Sequence, residues 1–148
     1  MSQGNAGIEL ETSLGYLMKE VSSALRTAME SVLRPLGMSV THYSCLELLA
    51  QRPGLSNSEL ARGTFVTRQA MNVLLQALEA DGLVTRSEQP ASGRALPTKL
   101  TAAGRAQLAT ATAAVKAVED RMKSGLDPAE QDALRAMLST CAASLRAH

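Results

Sequence analysis

The chain has no tryptophan, and its aromatic residues are limited to Tyr16, Tyr43 and Phe65. β-Sandwiches and barrels lean on aromatic and β-branched side chains, so this scarcity argues against an all-β fold. Cysteine is equally sparse: Cys45 and Cys141 are too few for a disulfide scaffold and lack metal-ligand spacing. No apolar run reaches the roughly 18 residues that a transmembrane helix needs. The N-terminus, MSQGNAGIELETS, lacks the basic start and apolar stretch of a signal peptide. A cytoplasmic protein with reduced thiols is expected. There is no excess of either charge: the formal net charge is +1, so any affinity for nucleic acid must come from local placement of charge. No glycine-rich phosphate loop, metal-ligand cluster or Ser-His-Asp spacing is present, and there are only 2 histidines. No enzyme, cofactor or metal is therefore expected.

What the 148 residues do contain is alanine, leucine and methionine, within a hydrophobic fraction of 45%. These are strong helix formers, and the fold is expected to be mainly α. Leu14, Leu17, Met18, Val21, Leu25, Ala28, Met29 and Val32 recur at helical spacing, after a cap at Thr12 or Ser13. Pro35 and Gly37 end that helix. A second helix is predicted from Thr41 to Gln51, stopped by Pro53-Gly54. Ser56 and Glu59 have the spacing of a capping box and open a short helix, Asn57 to Arg62. Gly63 to Val66 is expected to be a turn, Thr67 to cap a helix reaching Ala80, and Gly82 to close it.

Leu83 to Arg86 and Ala95 to Leu100 have strand character, with a turn-rich segment between them. Pro97 cannot donate a ladder hydrogen bond, so the returning strand is an edge. Another long helix follows Thr101, with Leu108, Ala111, Val115, Val118 and Met122 on one stripe. Gly125 ends it. Asp127-Pro128-Ala129-Glu130 then caps a last helix bearing Leu134, Met137, Leu138, Cys141 and Leu145. The predicted order is α-α-α-α-β-β-α-α. It divides into an arm at 1–36, a central module at 37–100 and terminal helices at 101–148. The Leu108–Met122 face is expected to be spare, available for burial against a second copy of the chain.

Two helices joined by a short turn form a helix-turn-helix signature. In the second of them, Met71, Leu74, Leu75 and Leu78 share one face. The opposite face carries Arg68, Gln69, Asn72, Val73 and Gln76, a set suited to base edges. Arginine bonds guanine, glutamine and asparagine bond adenine, and valine meets the thymine methyl. Thr67 sits at the helix N-terminus, where free backbone N–H groups favour a phosphate. In the hairpin, Arg94 beside Gly93 suits a minor groove, and Arg86 and Lys99 on the stems suit phosphates. Residues 56–100 carry five basic against four acidic side chains, so binding should be modest without sequence readout and strongly salt-dependent.

The run from Gly37 to Gly104 resembles the MarR/SlyA family of winged helix-turn-helix regulators. The segments that carry the likeness are LGMSVTHYSCLELLAQRPGLSNSELAR, FVTRQAMNVLLQALEADGLVTR and QPASGRALPTKLTAAG. They include Pro53-Gly54 before the motif, Leu-Glu-x-x-Gly-Leu-Val from Leu78 to Val84, and Leu-Thr-x-x-Gly from Leu100 to Gly104. The resemblance implies a homodimer held by the terminal helices on a pseudo-palindromic operator of double-stranded DNA. It implies a repressor released by a phenolic or aromatic acid, or by thiol oxidation. The two reading helices of such a dimer must lie about 34–36 Å apart. Two positions depart from the family pattern. Ser92 stands where an aspartate usually pairs with the wing arginine, here Arg94, and Pro97 is unusual in the returning strand.

For an effector, the resemblance points to Tyr16 and Lys19 on the first helix and His42, Tyr43 and Leu46 on the second. Tyrosine and histidine can orient a phenol and lysine can face a carboxylate. The alternative for these residues is an ordinary core or solvated role. Cys45 is flanked by leucines with no local Arg or Lys, and Cys141 lies on an apolar stripe. Both fit buried structural cysteines better than a redox sensor, and peroxide-sensing relatives carry their cysteine in the first helix, which here has none. Two other functions remain open at this point: a thiol-oxidation-sensing regulator, and a helical dimer that binds protein partners rather than DNA.

Overall fold

The computed structural model describes residues 7–86 and 97–147. Six α-helices, a short 3-10 turn and two strands follow in the order α1 (Leu14–Leu33), the turn Arg34–Leu36, α2 (Val40–Gln51), α3 (Asn57–Thr64), α4 (Arg68–Ala80), β1 (Val84–Arg86), β2 (Thr98–Leu100), α5 (Ala102–Lys123) and α6 (Pro128–Arg146). The expected mainly α, winged helix-turn-helix order is the observed one.

Local rules place most boundaries. Ser13 caps α1 by accepting from the Tyr16 N–H at 3.2 Å. Ser39, not singled out in the sequence, caps α2 through the His42 N–H at 3.0 Å. Both halves of the Ser56/Glu59 capping box are formed, as are those of Asp127/Glu130 at the start of α6. Thr67 accepts from the Ala70 N–H at 3.0 Å and fixes the start of α4. An N-cap of this kind contributes about 1 kcal/mol.

One turn differs from expectation. Gly63 is not in the turn but in the last part of α3. A Cβ at Gly63 would overlap the Leu48 side chain, so the glycine lets α3 approach α2 closely. The left-handed position that ends α3 falls to Phe65, at φ 62° and ψ 38°. Its N–H closes on Arg62, while that of Val66 reaches back to Ala61 at 3.0 Å. This is a Schellman-type stop, normally glycine's role, and a side chain there costs on the order of 1 kcal/mol.

The chain clusters into two units, residues 1–115 and 116–148. The core of the first gathers Leu33, Cys45, Leu46, Leu49, Leu60, Met71, Leu75, Leu78, Val84, Leu100, Leu108 and Ala111 from each α-helix and strand between α1 and α5. β1 and β2 pair antiparallel with Val84 opposite Leu100, Thr85 opposite Lys99 and Arg86 opposite Thr98. Val84, Thr98 and Leu100 are buried while Thr85 and Lys99 are exposed, so the two-stranded sheet is held by its contact with the helices. Pro97 lies just outside β2, where its missing N–H costs no ladder bond.

The Leu-Thr-x-x-Gly run does specific work at the start of α5. Thr101 donates its hydroxyl to the Gly82 carbonyl at 2.6 Å and accepts from the Gly104 N–H at 3.0 Å. Its own N–H goes to the Leu83 carbonyl at 3.0 Å. A Cβ on Gly104 would run into that same Leu83 carbonyl. The motif thus stitches the entry of β1 to the first turn of α5.

The expected spare face on α5 needs correction. Leu108 and Ala111 lie in the chain's own core, Val115 packs against it and Val118 is buried, leaving Met122 exposed. The periodicity is real, but its burial is satisfied within the chain. The uncovered apolar faces are elsewhere. Leu14, Tyr16, Leu17, Met18 and Val21 are exposed on α1. The second unit, taken by itself, buries no residue of α6, and Leu134, Met137, Leu138 and Leu145 are exposed on it. Cys141, expected to be buried, is exposed on the same stripe. Among the described residues no helix is long and apolar enough to cross a membrane.

Candidate nucleic-acid interface

α3 and α4 build the surface from the inside outward. Met71, Leu75 and Leu78 are buried along one side of α4, and Leu60 and Ala61 along α3. These contacts rotate α4 so that Thr67, Arg68, Gln69, Val73 and Gln76 are exposed. Val73 has 62% of its surface open, a large exposure for a valine. The free N–H groups of the first turn of α4 stand beside this row and offer donors to an anion.

Asn72 behaves differently from its neighbours. It is half-buried and its Oδ1 accepts from the Asn57 Nδ2 at 3.4 Å. The pair ties α4 to α3, which makes Asn72 as much a brace of the two helices as a member of the outer row. The sequence shows its place on the polar face but not that α3 lies against it.

Of the stem residues, Lys99 is exposed. The Arg86 side chain is largely covered and approaches Glu79, with Nε 4.0 Å from Oε1. Among the described residues its Nε and Nη2 are buried without a hydrogen-bond partner. Arg94 and Ser92 lie outside the described residues.

A second polar cluster lies between α2 and α5, and sequence windows could not reveal it. Glu47 accepts hydrogen bonds from Tyr43 Oη at 2.9 Å, Gln51 Nε2 at 2.9 Å and Thr112 Oγ1 at 3.0 Å. His42 Nε2 meets Gln107 Oε1 at 3.0 Å. Burial disfavours the Glu47 carboxylate, but the bonds from Gln51, Tyr43 and Thr112 outweigh it and hold the carboxyl below its ordinary pKa. Burial lowers the His42 pKa against the opposing effects of Gln107 and Asp81, so the ring is neutral near pH 7. A carboxyl with a depressed pKa adds stability above the ordinary carboxylate range and loses it as pH falls through its folded value. Glu47→Gln is therefore expected to flatten the acid limb of a melting-temperature profile. An acid limb as steep as that of the wild type would contradict the role given to this cluster.

The expected effector residues are only partly gathered. Tyr43 and Leu46 are buried in the core and His42 is beside them on α2. Tyr16 and Lys19 are exposed in the first turns of α1, whereas the part of that helix packed on the core is Met29 to Leu33. One chain does not bring the two groups together. Cys45 is fully buried, with Sγ 3.9 Å from Met71 Sδ, and burial pushes its thiol up to about 12. That is the reverse of what an oxidant-sensing thiolate requires.

Comparison with known proteins agrees with this architecture. The sequence profile described as the MarR family matches residues 36–95. An HTH-type transcriptional repressor of Mycobacterium tuberculosis is 42% identical over 132 residues, covering 89% of this chain and 95% of the relative. The crystal structure of a MarR family protein from the same organism, in complex with salicylic acid, has a TM-score of 0.73 at 42% identity, covering 88% of this chain and 96% of the other. The transcriptional repressor CouR bound to a 23-mer DNA duplex has a TM-score of 0.81 at 33% identity, covering 95% of this chain and 99% of the other. With its capped helix pair, its short sheet and likeness over nearly the whole length of these relatives, the chain belongs to the MarR family of winged helix-turn-helix regulators.

Proposed function

We propose that this chain is a cytoplasmic, homodimeric repressor. It binds a pseudo-palindromic operator through α4 of each protomer and leaves it when a small aromatic or phenolic acid binds. The observation that carries this reading is the division of α4: Met71, Leu75 and Leu78 are buried while Arg68, Gln69, Val73 and Gln76 face outward behind the Thr67 cap. Base readout needs this combination of a rigidly seated helix and an outer row with donors, acceptors and one methyl-bearing side chain. Thr67, Arg86, Arg94 and Lys99 serve phosphates or the groove edges around that row, and Asn72 adds to it from its brace with Asn57. Residues 37–100 form the DNA-binding module, and 1–36 with 101–148 supply the dimer contacts. The DNA complex of CouR and the salicylic acid complex of the mycobacterial protein support both halves of the proposal by kinship.

Release follows from the α2–α5 cluster. His42 and Tyr43 stand at this seam, which joins the reading module to α5, and Leu46 is buried on the same helix. An aromatic acid inserted there must break the His42–Gln107 or Glu47–Thr112 bond and so shift α2, on which α3 and α4 rest. Tyr16 and Lys19, which one chain does not bring to this seam, are candidates for the same ligand only from the second protomer. The thiol-sensing alternative loses its basis at Cys45, whose thiol is buried and protonated.

The test is a gel shift on a duplex selected by the protein from a random-sequence pool. Gln69→Ala and Arg68→Ala are expected to weaken the selected duplex by about 5- to 150-fold, the range of one lost base contact. Salicylate should release the wild-type complex and raise the melting temperature of the free protein. Unchanged binding by both variants would contradict the reading face, and indifference to salicylate and related aromatic acids would contradict the effector class.

A further inference from the structure

Among the described residues the backbone takes positive φ at Gly37, Gly54, Gly82 and at one residue with a side chain, Phe65. Phe65 is also 86% exposed, more open than any other large apolar side chain among them. The fold gives the ring no task. The backbone duty of the position, closing α3 onto Ala61 and Arg62, needs only an N–H and a left-handed conformation, which glycine adopts without strain. An exposed phenyl ring also forgoes the burial that makes phenylalanine stabilising.

Its position supplies the missing task. Phe65 lies two residues ahead of the Thr67 cap, at the end of α4 that recognition helices point at base edges. The outer row that follows is polar except for Val73. In the major groove the apolar features are the thymine C5-methyl and the sugar edges that flank it. We propose that Phe65 is a specificity-determining DNA contact, its ring packing on a thymine methyl and the adjoining deoxyribose where α4 enters the groove. This inference rests on the reading of α4 as the DNA-binding helix. A second copy of the chain is a poorer occupant, because the extended apolar faces left for self-association are on α1 and α6. A small effector is poorer still, since such ligands bind in enclosed sites and this ring stands open.

The experiment uses full-length protein and the duplex that the wild type selects from a random pool. Phe65→Gly is expected to bind that duplex about tenfold more weakly. The slope of log affinity against log salt should not change, because an apolar contact releases no counterions. The melting temperature should not fall, since glycine relieves the left-handed strain. Thymine-to-uracil replacement, which removes the methyl, should weaken wild-type binding at one position of each half-site and have no further effect on the variant there. Should Phe65→Gly melt lower than the wild type, Phe65→Asn, also tolerated in this conformation, takes its place under the same expectations. Binding within twofold of the wild type, or a reduced salt slope, overturns the proposal for Phe65 alone. A wild-type protein that enriches no sequence from the pool overturns the DNA reading and this inference with it.

Discussion

A chain carrying Met137→Glu together with Leu138→Glu is expected to sediment as a folded monomer and to lose at least about a hundredfold in operator affinity. Both residues are exposed on α6, beside Leu134 and Leu145, the last with 80% of its surface open. A 19-residue helix with an apolar stripe and no buried residue has no reason to hold its place in water unless something covers the stripe. The partner proposed is the same stripe, and the exposed first turns of α1, of a second copy. Two carboxylates on that surface would have to be buried unpaired in the dimer, a penalty of several kcal/mol per interface. Neither residue belongs to the core of residues 1–115, so the far-UV helicity of that unit should survive. Once the protomers separate, each half-site is bound independently and the advantage of joined sites, about 10²–10⁴-fold, disappears. A variant that remains dimeric by sedimentation would show that α6 is not the covering surface.

The second large effect is on stability. Gly104→Ala is expected to cost about 3 kcal/mol, at the upper end for overpacking, and to lower the melting temperature by about 6–12 °C. The added Cβ would meet the Leu83 carbonyl, which already accepts from the Thr101 N–H. A backbone oxygen cannot swing aside as a side chain can, so either α5 or the strand entry must move. Either shift disturbs the Thr101 bonds to Gly82 and Gly104 and tilts β1, so DNA affinity should fall as well. Ala103→Ser, one residue earlier and exposed, serves as the control and is expected to melt within about 2 °C of the wild type. Equal melting temperatures for the two variants would remove the close approach from the account.

These contrasts show which features are legible from sequence and why. Caps and stops are local, so Ser13, Ser56 with Glu59, Thr67 and Asp127 with Glu130 are visible in windows of four residues and appear where expected. The wing-to-helix motif is visible for the same reason. Phe65 is not, because a phenylalanine in the left-handed region goes against the preference that marks such turns, and Gly63 offers a more obvious but incorrect candidate. Amphipathic periodicity shows that a face is covered without showing what covers it. It therefore cannot distinguish α5, whose stripe closes the chain's own core, from α6, whose stripe is open. Contacts spanning 65 positions, such as Glu47–Thr112 and His42–Gln107, leave no trace in any local pattern. The outer row of α4 is legible, but the bracing of Asn72 by Asn57 emerges only when α3 is laid against it.

Hydroxyl-radical footprinting of the wild-type protein on its selected duplex tests the central claim most directly. Two protected segments centred about one helical turn apart and related by a two-fold axis are expected, with one dimer per duplex and protection lost when salicylate is added. A single protected segment bound by one chain, or no duplex retained even at low salt, would contradict it.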